Sequence, residues 1–299
     1  MMKETTPVPI EILGSGLWVG FFQDLQRLAA ETLKATPEVL AHRPTCTICC
    51  GPLASYQEGL IQALLDGHTI WLVTTHLWQA DEIESISLAT KNAQQPPYLE
   101  LISPRQFDTD FLQARLLAQR GELGELKAVR SLAWTPPFAE EAASPEAATD
   151  STTRFMEEIS LVLEPALELC PGRFLSCQFR GLPGDWSVSL LFEGDVRAEI
   201  ELRKRGHLPF ATGWMVDGTL AGYRQGRLYR TATDGETIDV PVPGFESMPT
   251  FVEAMCDQWV SALTMTTGRK EGTQQTLSKL AARLPVYQSL LAQLPRQSL

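Results

Sequence analysis

Short apolar runs punctuated by turn-forming residues mark the first third of the chain, and they predict strands at Ile10–Leu13, Thr45–Cys50, His68–Val73 and Tyr98–Ile102. Runs that are apolar throughout, such as Ile70-Trp71-Leu72-Val73, suit strands buried on both faces. Between them the apolar spacing becomes helical. Phe22, Leu25, Leu28, Ala29 and Leu33 share one side of a helix, as do Tyr56, Leu60, Leu64 and Leu65, with Gly67 as its stop. Asp81 and Glu82 open a further helix, where carboxylates suit the dipole. Strands alternating with helices imply right-handed crossovers and a parallel sheet. The expectation is an α/β chain whose residues 1–125 form a reduced, Rossmann-like domain.

Past Leu126 the pattern changes. A strand over Lys127–Ala133 leads into Pro136–Thr153, a Pro-, Ala- and Ser-rich stretch without core periodicity that reads as an exposed loop. A helix follows over Arg154–Leu169. Phe155, Ile159, Val162, Leu163, Ala166 and Leu167 form its apolar stripe, with Glu157, Glu158, Glu164 and Glu168 largely off it. Trp186, Val188, Leu190 and Phe192 then alternate with polar or smaller residues, as do Val196, Ala198, Ile200 and Leu202, around a hairpin at Glu193-Gly194-Asp195. Asp217-Gly218 and Gln225-Gly226 predict further hairpins, with strands around Thr219–Tyr223 and Arg227–Thr231. Phe251, Val252, Met255, Trp259 and Leu263 predict one helix; Leu277, Leu280, Ala281 and Leu284 predict another, kinked or ended at Pro285. Residues 126–299 therefore read as an α+β domain with a large, mainly antiparallel sheet.

The net charge of −11 opposes general nucleic-acid or anionic-membrane binding. No apolar run approaches a membrane span, and Met1–Pro9 reads as a loose leader rather than a signal peptide, so a cytoplasmic protein is expected. The Arg203-Lys204-Arg205 run reads as a solvated strand end. Cys46, Cys49 and Cys50 invite a metal reading, but no second Cys or His pair follows at finger-like spacing. Cysteine inside an apolar strand is a small hydrophobe, so no metal site is assigned.

Gly14-Ser15-Gly16, between a predicted strand and helix, sketches a turn whose backbone N–H groups could meet a pyrophosphate. The third small position is Val19, with Gly20 one place late. A ribose-binding acid is expected some 20 residues on at a strand end. Glu31 and Glu38 lie at that distance, yet neither follows a β-type run. Gly14 and Gly16 are thus the cofactor-binding candidates, in a sheet short of its adenosine half.

The order of elements, and above all Gly121-Glu122-Leu123-Gly124-Glu125, resembles the glucose–fructose oxidoreductase/inositol dehydrogenase family, in which that segment joins a nucleotide domain to a substrate domain. Pro104-Arg105-Gln106-Phe107-Asp108 resembles the family's Asn-Arg-Arg-Phe-Asp, with Arg105, Phe107 and Asp108 matching. The resemblance implies a Glu-Lys-Pro triplet at the end of the His68–Val73 strand, but this chain has Val73, Thr74 and Thr75 there. It also implies an Asp-x-x-x-His pair on the Arg154–Leu169 helix, where Glu158 and Val162 stand instead. Thr74 carries no charge and valine transfers no proton. The catalytic residues stay unassigned. The expectation is a divergent relative without hydride-transfer activity, serving as a binding or assembly module for a small-molecule or protein ligand. The alternative is an NAD(P)-dependent oxidoreductase with a relocated site using His76, Arg105 or Tyr56. Relatives pair through the uncovered sheet face, so a homodimer on the second domain's sheet is expected as well.

Overall fold

Every residue of β2 (Cys46–Cys50) and β3 (Thr69–Val73) is buried, as expected of strands covered on both faces. The computed structural model describes residues 10–15, 19–26, 45–51, 53–134, 151–182, 185–203, 211–232, 236–242, 248–264 and 268–294. With β1 (Ile10–Gly14) and β4 (Tyr98–Ile102), these strands form a four-stranded parallel sheet in sequential order among the described residues. Helix α1 (Gln57–Leu65) connects β2 to β3, and α2 (Ala80–Asn92) connects β3 to β4. Residues 19–26 are helical, with Phe22 and Leu25 buried. The reduced parallel sheet read from the sequence is the one observed; Gly16, Glu31 and Glu38 lie outside the described residues.

Two compact units divide the chain. The first joins residues 1–102 to 251–284, and the second joins 103–250 to 285–299. Hydrogen bonds show why C-terminal residues belong with the first sheet. On α6 (Arg269–Gln293), Thr273 Oγ1 accepts from Leu99 N at 3.0 Å and donates to Pro97 O at 2.7 Å. Thr276 Oγ1 donates to Leu99 O at 2.9 Å. These hydroxyls satisfy edge-strand backbone groups that another strand would otherwise meet. Arg269 reaches Gly67 O, His68 O, Pro96 O and Thr69 Oγ1 at 3.0–3.1 Å, tying together the amino ends of β3 and β4. From α5 (Phe251–Thr264), Gln258 donates to the half-buried Glu100 at 2.6 Å. Burial pushes the Glu100 carboxyl above its usual range.

The second unit is built on an eight-stranded sheet ordered β12-β11-β10-β9-β5-β8-β7-β6. Its strands are β5 (Leu126–Trp134), β6 (Phe174–Leu182), β7 (Asp185–Phe192), β8 (Val196–Arg203), β9 (Ala211–Gly218), β10 (Gly222–Arg224), β11 (Arg227–Thr231) and β12 (Thr237–Pro241). Among the described residues only the β5–β8 pairing of this sheet is parallel. The alternation in β7 and β8 comes out as read: Val188, Leu190, Ala198 and Ile200 are buried, while Arg197 is exposed. On the opposite face Arg130 pairs with Glu199 at 2.7 Å. Asp110, in α3 (Thr109–Gln119), accepts from Tyr223 Oη at 2.6 Å and from Trp214 N at 2.7 Å, locking that helix to β9 and β10.

Several local expectations need correction. The helix α4 spans Ser151–Leu169, so it begins within the stretch expected as loop; residues 136–150 of that stretch lie outside the described ones. Glu164, expected off the apolar stripe, is buried, because Tyr287 from the far end of α6 packs there and donates to its carboxylate. Of the alternatives at Pro285, an end is ruled out, since α6 continues to Gln293. Thr219–Ala221 is a turn rather than strand, and β10 keeps only Gly222–Arg224. Val252 is exposed, since Met255 takes the inward position on α5.

Candidate functional site at the carboxyl edge of the first sheet

Parallel sheets gather the loops after their strands at one edge, where ligands of α/β proteins bind. Here those loops are laced to one another. Gly14 ends β1 at φ 121°, and a Cβ on it would sit 1.7 Å from Cys50 O. Gly51, at φ 94°, would place its Cβ 2.3 Å from Ser15 O. Ser15 N donates to Cys50 O at 3.3 Å. Both glycines are therefore required by backbone packing between the loops after β1 and β2. Thr75 extends the lacing to the loop after β3: its hydroxyl donates to Gly51 O at 2.6 Å and accepts from Gly51 N at 3.0 Å.

This arrangement bears on a dinucleotide directly. In a dinucleotide turn the first glycine permits the tight turn and the second lets backbone approach the pyrophosphate. Gly14 holds the first place, packed against Cys50 O, and Gly16, the second, lies outside the described residues. No chemical step is derived through a nicotinamide.

Beyond Thr75 lies a group of ionisable and aromatic side chains. Tyr56, at the amino end of α1, places its hydroxyl 3.4 Å from His76 Nδ1. The His76 ring lies 4.0 Å from that of Trp78, and its Nε2 is 3.9 Å from Glu82 Oε2. Glu82 is itself fixed by a capping box, accepting from Gln79 N at 2.7 Å. Burial lowers the His76 pKa to about 3, leaving a neutral imidazole at physiological pH. Burial likewise holds the Tyr56 phenol well above its ordinary range, so the tyrosine keeps its proton. Thr74 is buried, and its backbone N–H donates to Ile102 O at 2.9 Å.

The remaining candidates sit elsewhere. Val162 is 3% exposed within the apolar face of α4, with Ile159, Leu163 and Ala166 also buried. Glu158 lies one turn earlier on that helix and is half-buried. Arg105 pairs with Asp108 at 3.4 Å in the short helical turn Pro104–Phe107 of the second unit. Cys46, Cys49 and Cys50 are buried in β2, and burial raises the Cys49 thiol well above its usual range. Among the described residues no group of His, Cys, Asp and Glu has the arrangement to hold a metal ion. Sequence reasoning singled out Tyr56 and His76, named Thr75 only as a triplet position without a role, and missed Trp78. The run Thr74-Thr75-His76 directly after an apolar strand was the available signal.

No helix among the described residues is long and apolar enough to cross a membrane. No protein-family model and no curated protein matches the chain. Solved structures do match. Myo-inositol 2-dehydrogenase from Lactobacillus plantarum is 12% identical with a TM-score of 0.64, over 96% of this chain and 98% of that one. A putative myo-inositol dehydrogenase from Sinorhizobium meliloti is 15% identical with a TM-score of 0.61, over 96% and 98%. An inositol dehydrogenase homolog from Azotobacter vinelandii, complexed with NAD+, is 12% identical with a TM-score of 0.59, over 82% and 74%. At such identities the likeness is one of fold, and the fold is that of inositol-dehydrogenase-type oxidoreductases.

Proposed function

We propose that this protein keeps the oxidoreductase architecture without its hydride-transfer chemistry, and acts as a binding or assembly module. The observation that carries this reading is the state of the two family positions for lysine and histidine. Thr74 is 1% exposed and Val162 is 3% exposed, and neither offers a charge or a transferable proton. Removing a general acid/base costs about 10²–10⁴-fold in rate. Assay of the purified protein for NAD(P)H oxidation or NAD(P)+ reduction against polyols and ketoses tests the reading, with no turnover above background as the expected result.

The module is proposed to be a homodimer joined through the open face of the large sheet. Support comes from the rows of that face, where Met215, Arg130, Glu199, Ser189 and Gln178 stand in register across five strands. Such mixed polar and apolar rows suit a self-complementary surface. Sedimentation at micromolar concentration should give a dimer; a monomer there overturns this part.

A second reading, an NAD(P)-dependent oxidoreductase whose chemistry has moved, is favoured by one observation: the Tyr56–His76 contact of 3.4 Å at the sheet's carboxyl edge. Turnover abolished by Tyr56→Phe would establish it over the first.

A further inference from the structure

Three side-chain atoms in the segment after β3 are shut from solvent without a hydrogen-bond partner: Thr74 Oγ1, His76 Nε2 and Trp78 Nε1. Native structures leave few such atoms, because each gives up its bonds to water and gains nothing in return. The trio also has a common chemical character. Indole N–H is a donor only, and a hydroxyl always has a proton to give.

The His76 tautomer is tied to the direction of the Tyr56 hydrogen bond. The phenol keeps its proton, and His76 Nδ1 is the acceptor within its reach, at 3.4 Å. The reverse arrangement, with Nδ1–H donating to the phenolic oxygen, would instead make Nε2 an acceptor. With the phenol donating, the imidazole proton sits on Nε2, 3.9 Å from Glu82 Oε2 and beyond hydrogen-bonding distance. The segment thus presents donors from Thr74, His76 and Trp78 with no acceptor to meet them. An anion would stand close to the Glu82 carboxylate, so a neutral acceptor is favoured.

We propose that Tyr56 donates to His76 Nδ1 and that residues 74–78 form a donor-lined seat for an uncharged hydrogen-bond-accepting group, a carbonyl oxygen above all. The inference rests on the binding-module reading and names the chemistry of its ligand. Long-range proton–nitrogen NMR of ¹⁵N-labelled protein reads the His76 tautomer with no ligand present, so its result stands apart from any cofactor titration. The expected state is a neutral ring protonated on Nε2; a ring protonated on Nδ1 overturns the proposal even if the protein binds something else. Acetamide and acetate, near-isosteres of different charge, are then titrated in turn. Acetamide should shift the Trp78 indole and His76 Nε2–H resonances and acetate should not. Thr74→Val, which keeps the shape of the side chain, should weaken the acetamide response about 2–10-fold, as expected for one hydrogen bond. Equal response to both compounds, or none to either, overturns the seat.

Discussion

The segment after β3 and the middle of α4 are the two places where the sequence resemblance implies a functional side chain, and they differ in what surrounds them. In α4 the replacement is complete. Val162 joins buried Ile159, Leu163 and Ala166, with Leu161 O accepting from Ser103 Oγ and Glu164 Oε1 accepting from Tyr287. After β3 the replacement has left polar character behind, with Thr74, His76 and Trp78 each holding a buried atom that no protein group meets. Where local rules of packing and polar satisfaction agree, a segment is serving stability; where they conflict, function is the usual cause. The contrast assigns the α4 position to the core and, on the proposed reading, turns attention to the segment after β3.

A charge in α4 breaks the comparison most severely. Val162→Asp should cost about 3–5 kcal/mol, the range for a buried charge without a partner. The midpoint of urea unfolding reads it, and a loss below about 1 kcal/mol would mean the site still opens to water. The next effect depends on pH. A native His76 pKa of about 3 lies below the unfolded value near 6.5, so its contribution is fully present above about pH 6.5 and is lost as pH falls toward 3. Between pH 7 and pH 4 this amounts to about 3 kcal/mol. Glu82 and Asp110 work in the opposite sense, because burial raises their carboxyls and favours the native state as they protonate. The difference between wild type and His76→Phe isolates the histidine: the variant should lose less stability over that interval, and parallel curves would contradict the neutral imidazole.

Smaller effects sharpen the contrast. Tyr287→Phe leaves the buried Glu164 without that donor and should cost about 1–3 kcal/mol at neutral pH. Thr74→Val removes a hydroxyl that has no partner, so it should lie within about 1 kcal/mol of wild type or be slightly stabilising. A marked loss there would reveal a hydrogen bond to water or ligand in the resting protein.

Periodicity exposed the sheets and hid their edges. β2, β3, β4, β7 and β8 were legible because an apolar run or a strict alternation states how many faces a strand buries. The attachment of residues 251–284 to the first unit was not, since it rests on Thr273, Thr276 and Arg269 meeting backbone groups some 170–200 residues away. Glu164 misled for a related reason: a helical wheel counts charge and cannot see a tyrosine arriving from another element. Gly14 was legible as a special position but not its neighbour, since glycine serves any close backbone approach and here the approaching group is Cys50 O. Thr74 and Val162 were readable as replacements, but only coordinates separate the one absorbed into core from the one beside unmet donors.

Calorimetric titration of the purified protein with NADH and NADPH, followed by crystal soaking, tests the central claim most directly. The absence of saturable heat and of ordered cofactor is the predicted result. Micromolar binding with the nicotinamide ring lodged beside Thr74 would contradict it and restore a redox role to the carboxyl edge of the first sheet.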